Sequence, residues 1–251
     1  MLTALQSLRL PFAQGSLRWT TFNHTRAGTG SFAALDRMKR DGQPIAAVLP
    51  YFICLIVGYL LGSVPFGLLA GRLKGVDIRT QGSGNIGATN VWRVCGWRYG
   101  LPVFILDALK GVAAVYLGRR LGGEYTPIVG AFACIIGHSF PVWLKFKGGK
   151  GVATSLGVML GMMPMATLAV FALWVLVFKA SGYVSLASIV AAAALPTVVG
   201  IGNVSGWSYG WPAFWFALVA GALVIVRHRT NITRLRAGTE SRFGKKKGNE
   251  S

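Results

Sequence analysis

Stretches without a single charged side chain recur along the chain, from Gly42 to Gly71, from Gly151 to Phe178 and from Ala180 to Val226. Each exceeds the roughly 20 residues that a helix needs to cross a bilayer. A first span is expected over about Ala46 to Leu69, kinked near its end by Pro65 and Gly67 where protein or water can satisfy the freed backbone groups. A second covers about Tyr99 to Gly118 and contains Asp107 and Lys110; a third, about Tyr125 to Leu144, carries His138 near its C-terminal end. Ionisable groups at such depth face the bundle interior, and Asp107 and Lys110, three residues apart, are expected to neutralise each other. His138, followed by Ser139-Phe140-Pro141, is placed to cap or orient the loop that comes next.

The topology turns on whether Gly151 to Phe178 crosses once or twice. Two crossings, broken near Gly161-Met162-Met163-Pro164, bring the Arg72 to Arg98 loop, the Lys145 to Lys150 loop, Lys179 and the Arg227 to Lys247 tail to one side of the membrane. That side then holds seventeen Lys and Arg, against Arg119 and Arg120 opposite, as the positive-inside rule requires. The reading is therefore an all-α integral membrane protein of seven transmembrane helices, with the N-terminus outside and the C-terminus cytoplasmic. The last two spans divide around Gly200 to Pro212, whose tryptophans suit the bilayer interface. Residues 45–235 form the membrane domain and 236–251 a basic cytoplasmic tail. Residues 1–44 are read as an extension, disordered or upstream of the true start: the first 37 hold four arginines, one acid and many Ser and Thr, closer to a transit segment than to a translocated tail. Met38 is taken as the working start, against a cleaved or disordered extension.

Composition agrees, with 53% hydrophobic and only 13% charged residues, which excludes an ordinary soluble domain. The formal charge of +19 is compatible with nucleic acid, anionic lipid or anionic substrates, and its confinement to loops between apolar spans favours the last two. Cys54, Cys95 and Cys134 lack metal-type spacing, and His24, His138 and His228 have no carboxylate or cysteine partner at ligand spacing, so no metal and no cofactor is expected.

Two of the basic loops carry glycines in patterns that simple lipid anchoring does not need. Gly82-Ser83-Gly84-Asn85-Ile86-Gly87 matches the dinucleotide fingerprint literally, yet no strand or βαβ unit surrounds it. What remains is an anion cradle: glycines that can turn backbone N–H groups toward a phosphate, joined by Ser83, Asn85, Thr89, Asn90 and the fixed fork of Arg93. The bland alternative is a Gly-rich turn with a polar helix cap. In the second loop Lys145, Lys147 and Lys150 bracket Gly148 and Gly149 ahead of a helix start, although Gly151 stands where a P-loop needs Ser or Thr. His228 and Asn231, three residues apart, share a helix face at the end of the last span, and Ser185 opens the sixth. No Ser or Cys lies in a recognisable nucleophile motif and a general base is hard to find. The inventory of donors and cations suits two phosphates and direct transfer from an activated phosphate-bearing donor.

At these residues the chain resembles the bacterial acyl-phosphate glycerol-3-phosphate acyltransferases, the PlsY family. The resemblance runs from about Val48 to Glu240 and includes Gly62-Ser63-Val64-Pro65-Phe66-Gly67, Ser83 to Asn90, Asp107-Ala108-Leu109-Lys110-Gly111, Gly137 to Pro141, Lys145 to Thr154 and Arg227 to Ile232. It implies an enzyme of the bacterial inner membrane, its active site facing the cytoplasm, that moves an acyl chain from acyl phosphate to the 1-hydroxyl of sn-glycerol 3-phosphate. The products are lysophosphatidate and inorganic phosphate, in the first acylation of phospholipid synthesis. It also implies that Ser83, Gly84, Asn85, Gly87, Ala88, Thr89 and Asn90 bind donor phosphate. Arg93, Lys147, Ser185, His228 and Asn231 would surround glycerol phosphate and the reacting centre, with Lys145, Gly148, Gly149 and Lys150 lining the substrate loop. Ser83, Arg93, Lys147, His228 and Asn231 are the expected catalytic set, and substrate phosphate is the expected proton acceptor. The implied partners are the two substrates, the bilayer and an acyl-phosphate-producing enzyme, with no nucleic acid. His138 and His228 are followed five positions later by Trp143 and Thr233, so the His and Asp signature of acyl-CoA enzymes is missing. Two other readings fit the composition: a small transporter for phosphorylated metabolites, and a non-enzymatic lipid-surface anchor.

Overall fold

Charge-free sequence of this length can satisfy its backbone in lipid as helix or as closed barrel, and in the computed structural model every regular element among the described residues, 44–207 and 209–244, is helical. The expectations for the extension around Met38 and for the tail beyond Gly244 fall outside those residues. In chain order the helices are α1 (Pro44–Ser63), α2 (Phe66–Leu73), α3 (Ala88–Cys95), α4 (Trp97–Leu121), α5 (Thr126–Ser139), α6 (Val152–Met162), α7 (Pro164–Ser181), α8 (Val184–Val204), α9 (Trp211–Arg227) and α10 (Arg229–Arg236), with a 3₁₀ turn at Val142–Leu144.

Among the described residues five stretches are long and apolar enough to cross a membrane: Ala46–Leu73, Trp97–Leu121, Thr126–Leu144, Pro164–Ser181 and Val184–Val204. A sixth arises if α9 and α10, bent by 57° with respect to each other, count as one. The 11 residues of α6 make a helix of about 17 Å, short of a hydrocarbon core of roughly 30 Å. The break foreseen near Gly161 to Pro164 lies at Met163, whose φ of −139° and ψ of 66° end α6 as Pro164 opens α7. The kink foreseen at Pro65 is a full interruption, with α1 ending at Ser63 and α2 starting at Phe66.

Small residues let the helices approach closely, as membrane packing favours. Gly58 of α1 meets the Gly130 backbone of α5, and Gly62 meets that of Cys134. In α6, Gly157 lies against the Ala108 backbone of α4. Val115, Ala131, Ile135, Val158, Met159, Leu195, Val199, Phe216 and Ala217 fill the centre where α4, α5, α6, α8 and α9 converge. Leu55, Ile56, Phe171, Leu176 and Trp215 are exposed, an apolar exterior that lipid can cover. A smaller cluster of Ala70, Ile78, Ile86, Val91 and Val103 supports the first glycine loop.

Candidate active site

The first glycine loop is shaped by a buried asparagine. Asn90, in the first turn of α3, donates from Nδ2 to the carbonyls of Ile78 and Gln81, both at 3.1 Å, and its Oδ1 accepts the Ser83 N–H at 2.8 Å. That holds residues 78 to 83 as a curl over the helix start. Gly82 and Gly84 take φ of +60° and +69°, the left-handed region where a Cβ is costly. Asn85 Oδ1 accepts the Gly87 N–H at 2.8 Å, closing the turn into α3. No side chain caps α3, so its leading amides at Ala88 and Thr89 stay open toward an anion. Ser83 in the loop and Arg93 in the last turn of α3 are exposed, and Arg93 has no hydrogen-bond or ion-pair partner among the described residues.

The lysine loop gets its geometry from other residues than its glycines suggest. Lys145 and Phe146 are the left-handed pair, with φ of 49° and 61°. Their turn sends Gly148 and Gly149 back along the end of α5, where the Gly148 N–H donates to Ser139 O at 3.2 Å and the Gly149 N–H to His138 O at 3.1 Å. Both glycines are there for space. A Cβ on Gly148 would run into the His138 carbonyl and the Pro141 ring, and one on Gly149 into the His138 imidazole. Arg227 straps the same pair from the other side, donating to the Gly148 and Gly149 carbonyls at 2.9 Å, with its guanidinium 4.9 Å from the Phe140 ring centre.

Lys145 and Lys147 are exposed and Lys150 points inward. Lys150 Nζ donates to Asn231 Oδ1 at 2.5 Å. Asn231 Nδ2 donates to Glu240 Oε1 at 2.6 Å, Ser185 Oγ to the same oxygen at 2.7 Å, and Arg234 Nε to Glu240 Oε2 at 2.7 Å. Next to them the buried His228 directs Nδ1 at Val224 O, 2.7 Å away. A carbonyl can only accept, so Nδ1 carries the proton and Nε2 is left as an acceptor. Lys150, Ser185, His228 and Asn231 are thus brought together.

Burial pushes the Lys150 ammonium down to about 8, an effect that Glu240 opposes and the cations Arg234, Arg93 and Arg227 reinforce. Burial would raise the Glu240 carboxyl, but hydrogen bonds from Arg234, Ser185 and Asn231 outweigh it and hold the group below its ordinary value. Its contribution to stability is therefore present above the unfolded carboxylate range and fades as pH falls through the lowered folded value. Glu240→Gln should lower stability by about 1–3 kcal/mol, because the new amide points a donor at Arg234 and withdraws a charged acceptor from three donors. Thermal unfolding in one detergent checks this, and an unchanged midpoint would remove Glu240 from the support of the site.

Neither Glu240 nor Arg227 was read from sequence as part of the site. The signal for Glu240 was available, since it is the single acid between Arg227 and Lys247 among eight cations. Past Glu240 the chain returns to the bundle: the Phe243 N–H donates to Gly182 O at 2.9 Å, and the Phe243 ring lies 5.5 Å from Trp92 and 5.7 Å from Phe178.

Fold and site together define a multi-pass helical membrane protein with a cationic, donor-rich cluster at the ends of its helices. Residues 52–238 match the family model described as glycerol-3-phosphate acyltransferase. The chain is 47% identical over 197 residues to a glycerol-3-phosphate acyltransferase of Rhizobium meliloti, covering 77% of this chain and 92% of that one. It is 48% identical to glycerol-3-phosphate acyltransferase 2 of Moorella thermoacetica, covering 78% and 99%. The fold is similar to crystal structures of PlsY, an integral membrane glycerol 3-phosphate acyltransferase. The glycerol 3-phosphate form has a TM-score of 0.72 at 44% identity, covering 77% of this chain and 96% of that chain, and the lysophosphatidic acid form has 0.70 at 43%. The chain belongs to the glycerol-3-phosphate acyltransferase family, in its PlsY branch, and so to the acyltransferases of phospholipid synthesis; the transporter and anchor readings fall away.

Proposed function

We propose that the protein transfers an acyl group from acyl phosphate to the 1-hydroxyl of sn-glycerol 3-phosphate, releasing lysophosphatidate and inorganic phosphate. The observation that carries this reading is a pair of phosphate-suited elements, the open start of α3 and the Lys150 cluster, joined through the tail that carries Glu240, whose Phe243 ring packs on Trp92 of α3. In this scheme the Ser83 to Asn90 loop holds the donor phosphate through backbone N–H groups. Lys150 and Arg93 hold the phosphate of the acceptor, and Lys147 assists from solvent. Ser185 gives its hydrogen to Glu240, so its lone pairs are free to accept from a glycerol hydroxyl. His228 Nε2 offers a second acceptor and Asn231 fixes the direction of Lys150.

The 1-hydroxyl oxygen then attacks the acyl carbon, and the bond from that carbon to the phosphate oxygen breaks. The hydroxyl proton passes to the departing phosphate, so no protein base is required. The protein's contribution is orientation and charge stabilisation, the terms that dominate when the leaving group is already good. In the seven-crossing topology that the distribution of Lys and Arg favours, both elements lie on the cytoplasmic side of a bacterial inner membrane, where an acyl-phosphate-producing enzyme would supply the donor. Given palmitoyl phosphate, the purified chain should acylate glycerol 3-phosphate and leave glycerol unreacted. Equal acylation of glycerol would overturn the two-phosphate site.

A further inference from the structure

Three buried ionisable side chains lie beneath the site, and of these His138 lies against Gly149 of the lysine loop. Asp107, Lys110 and His138 are 2%, 4% and 6% exposed. Asp107 Oδ1 is 2.7 Å from Lys110 Nζ and 3.5 Å from His138 Nδ1. Lys110 alone would compensate the carboxylate within α4, so simple neutralisation does not account for His138 or for where the two partners reach.

Lys110 reaches the end of α1. Its ammonium donates to the carbonyls of Gly62, at 2.9 Å, and Val64, at 3.1 Å, where the helix is interrupted before Pro65. Beyond that interruption Gly67 of α2 abuts the Ile86 carbonyl of the donor loop so closely that a Cβ would collide with it. His138 reaches the lysine loop. Its carbonyl accepts the Gly149 N–H, and its ring lies against Gly149 with no room for a side chain between. Lys150 is the next residue, and Arg227 presses on the pair from the far side. Asp107, His138, Gly62 to Gly67 and Ile86 lie around one common point in the fold.

We infer that Asp107 is a positioning residue for acyl transfer, setting Lys150 through His138 and Gly149 and the donor loop through Lys110 and the α1 break. The inference rests on the function proposed above. A purely structural ion pair would change the yield of folded protein and leave the kinetics of what folds intact. Positioning predicts that Asp107→Asn and His138→Ala each raise KM for glycerol 3-phosphate by about tenfold, and that the double variant is no worse than either, since both act along one path. A second pair tests the contact itself. Gly149→Ala should cost about 10²-fold in kcat/KM, and adding His138→Ala, which removes the ring the new methyl strikes, should restore about tenfold of it.

The measurement is steady-state kinetics on monodisperse protein in one detergent with palmitoyl phosphate as donor. Multiplying losses in the Asp107 and His138 double variant, or a Gly149→Ala defect that His138→Ala does not relieve, would overturn the inference. If Asp107→Asn gives no folded protein, the Gly149 and His138 pair decides by the same criterion. Failure of the underlying function is distinct, because the unaltered chain would then show no turnover at all.

Discussion

Replacing Lys150 by Met should reduce kcat/KM for glycerol 3-phosphate on the order of 10²–10³-fold, about 3–4 kcal/mol in the barrier, because it leaves phosphate charge uncompensated in a partly desolvated site. Lys147→Ala serves as the control. Its ammonium is exposed and screened, so its loss should stay within about fivefold. The two lysines differ in pH behaviour as well. Burial holds Lys150 near 8, well below the ordinary 10.5, and only the protonated form attracts phosphate. The affinity for glycerol 3-phosphate should therefore fall as pH rises through about 8. The ligand-free protein should move the other way over that window: between the folded and unfolded values the unfolded chain binds more protons at this lysine, so stability rises with pH. Kinetics of both variants at pH 7 and 9 check these statements, and a larger loss for Lys147→Ala than for Lys150→Met would reverse the assignment.

Arg93→Ala carries the second large effect. The guanidinium projects from the last turn of α3 with no partner of its own among the described residues, so what it offers is available to a ligand. Removing it should cost on the order of 10²-fold in kcat/KM. Arg93→Lys should recover little, since an ammonium is a point charge and cannot reproduce a two-pronged contact to phosphate. Full rescue by Lys would show that charge alone matters at this position, and near-normal turnover in Arg93→Ala would remove it from the site.

Much of this organisation is legible in the residues. Charge-free length locates the spans, Pro65 and Pro164 locate the interruptions, and the glycines with Asn90 mark the donor loop. Helical spacing places His228 and Asn231 in neighbouring turns, and both are buried at the site. The sequence reading puts Lys147 in the catalytic set and Lys150 only in the substrate loop, whereas in the structure Lys147 is exposed and Lys150 faces Asn231. Which one faces inward depends on the left-handed turn at Lys145 and Phe146, two residue types that give no hint of such a conformation. The same limit hides Glu240, whose partner Ser185 is 55 positions away in the chain and comes close only after α10 turns the tail back. The glycines of the lysine loop were readable as special, but the reason, contact with His138 and Pro141, belongs to tertiary packing.

Donor identity is the point on which the chemistry rests, and lysophosphatidate formation with phosphate release measured alongside meets it directly. With glycerol 3-phosphate and palmitoyl phosphate the purified chain should yield one inorganic phosphate for each lysophosphatidate, and with palmitoyl-CoA it should yield no product. Comparable product from palmitoyl-CoA would contradict a site in which the donor's own phosphate is both leaving group and proton acceptor.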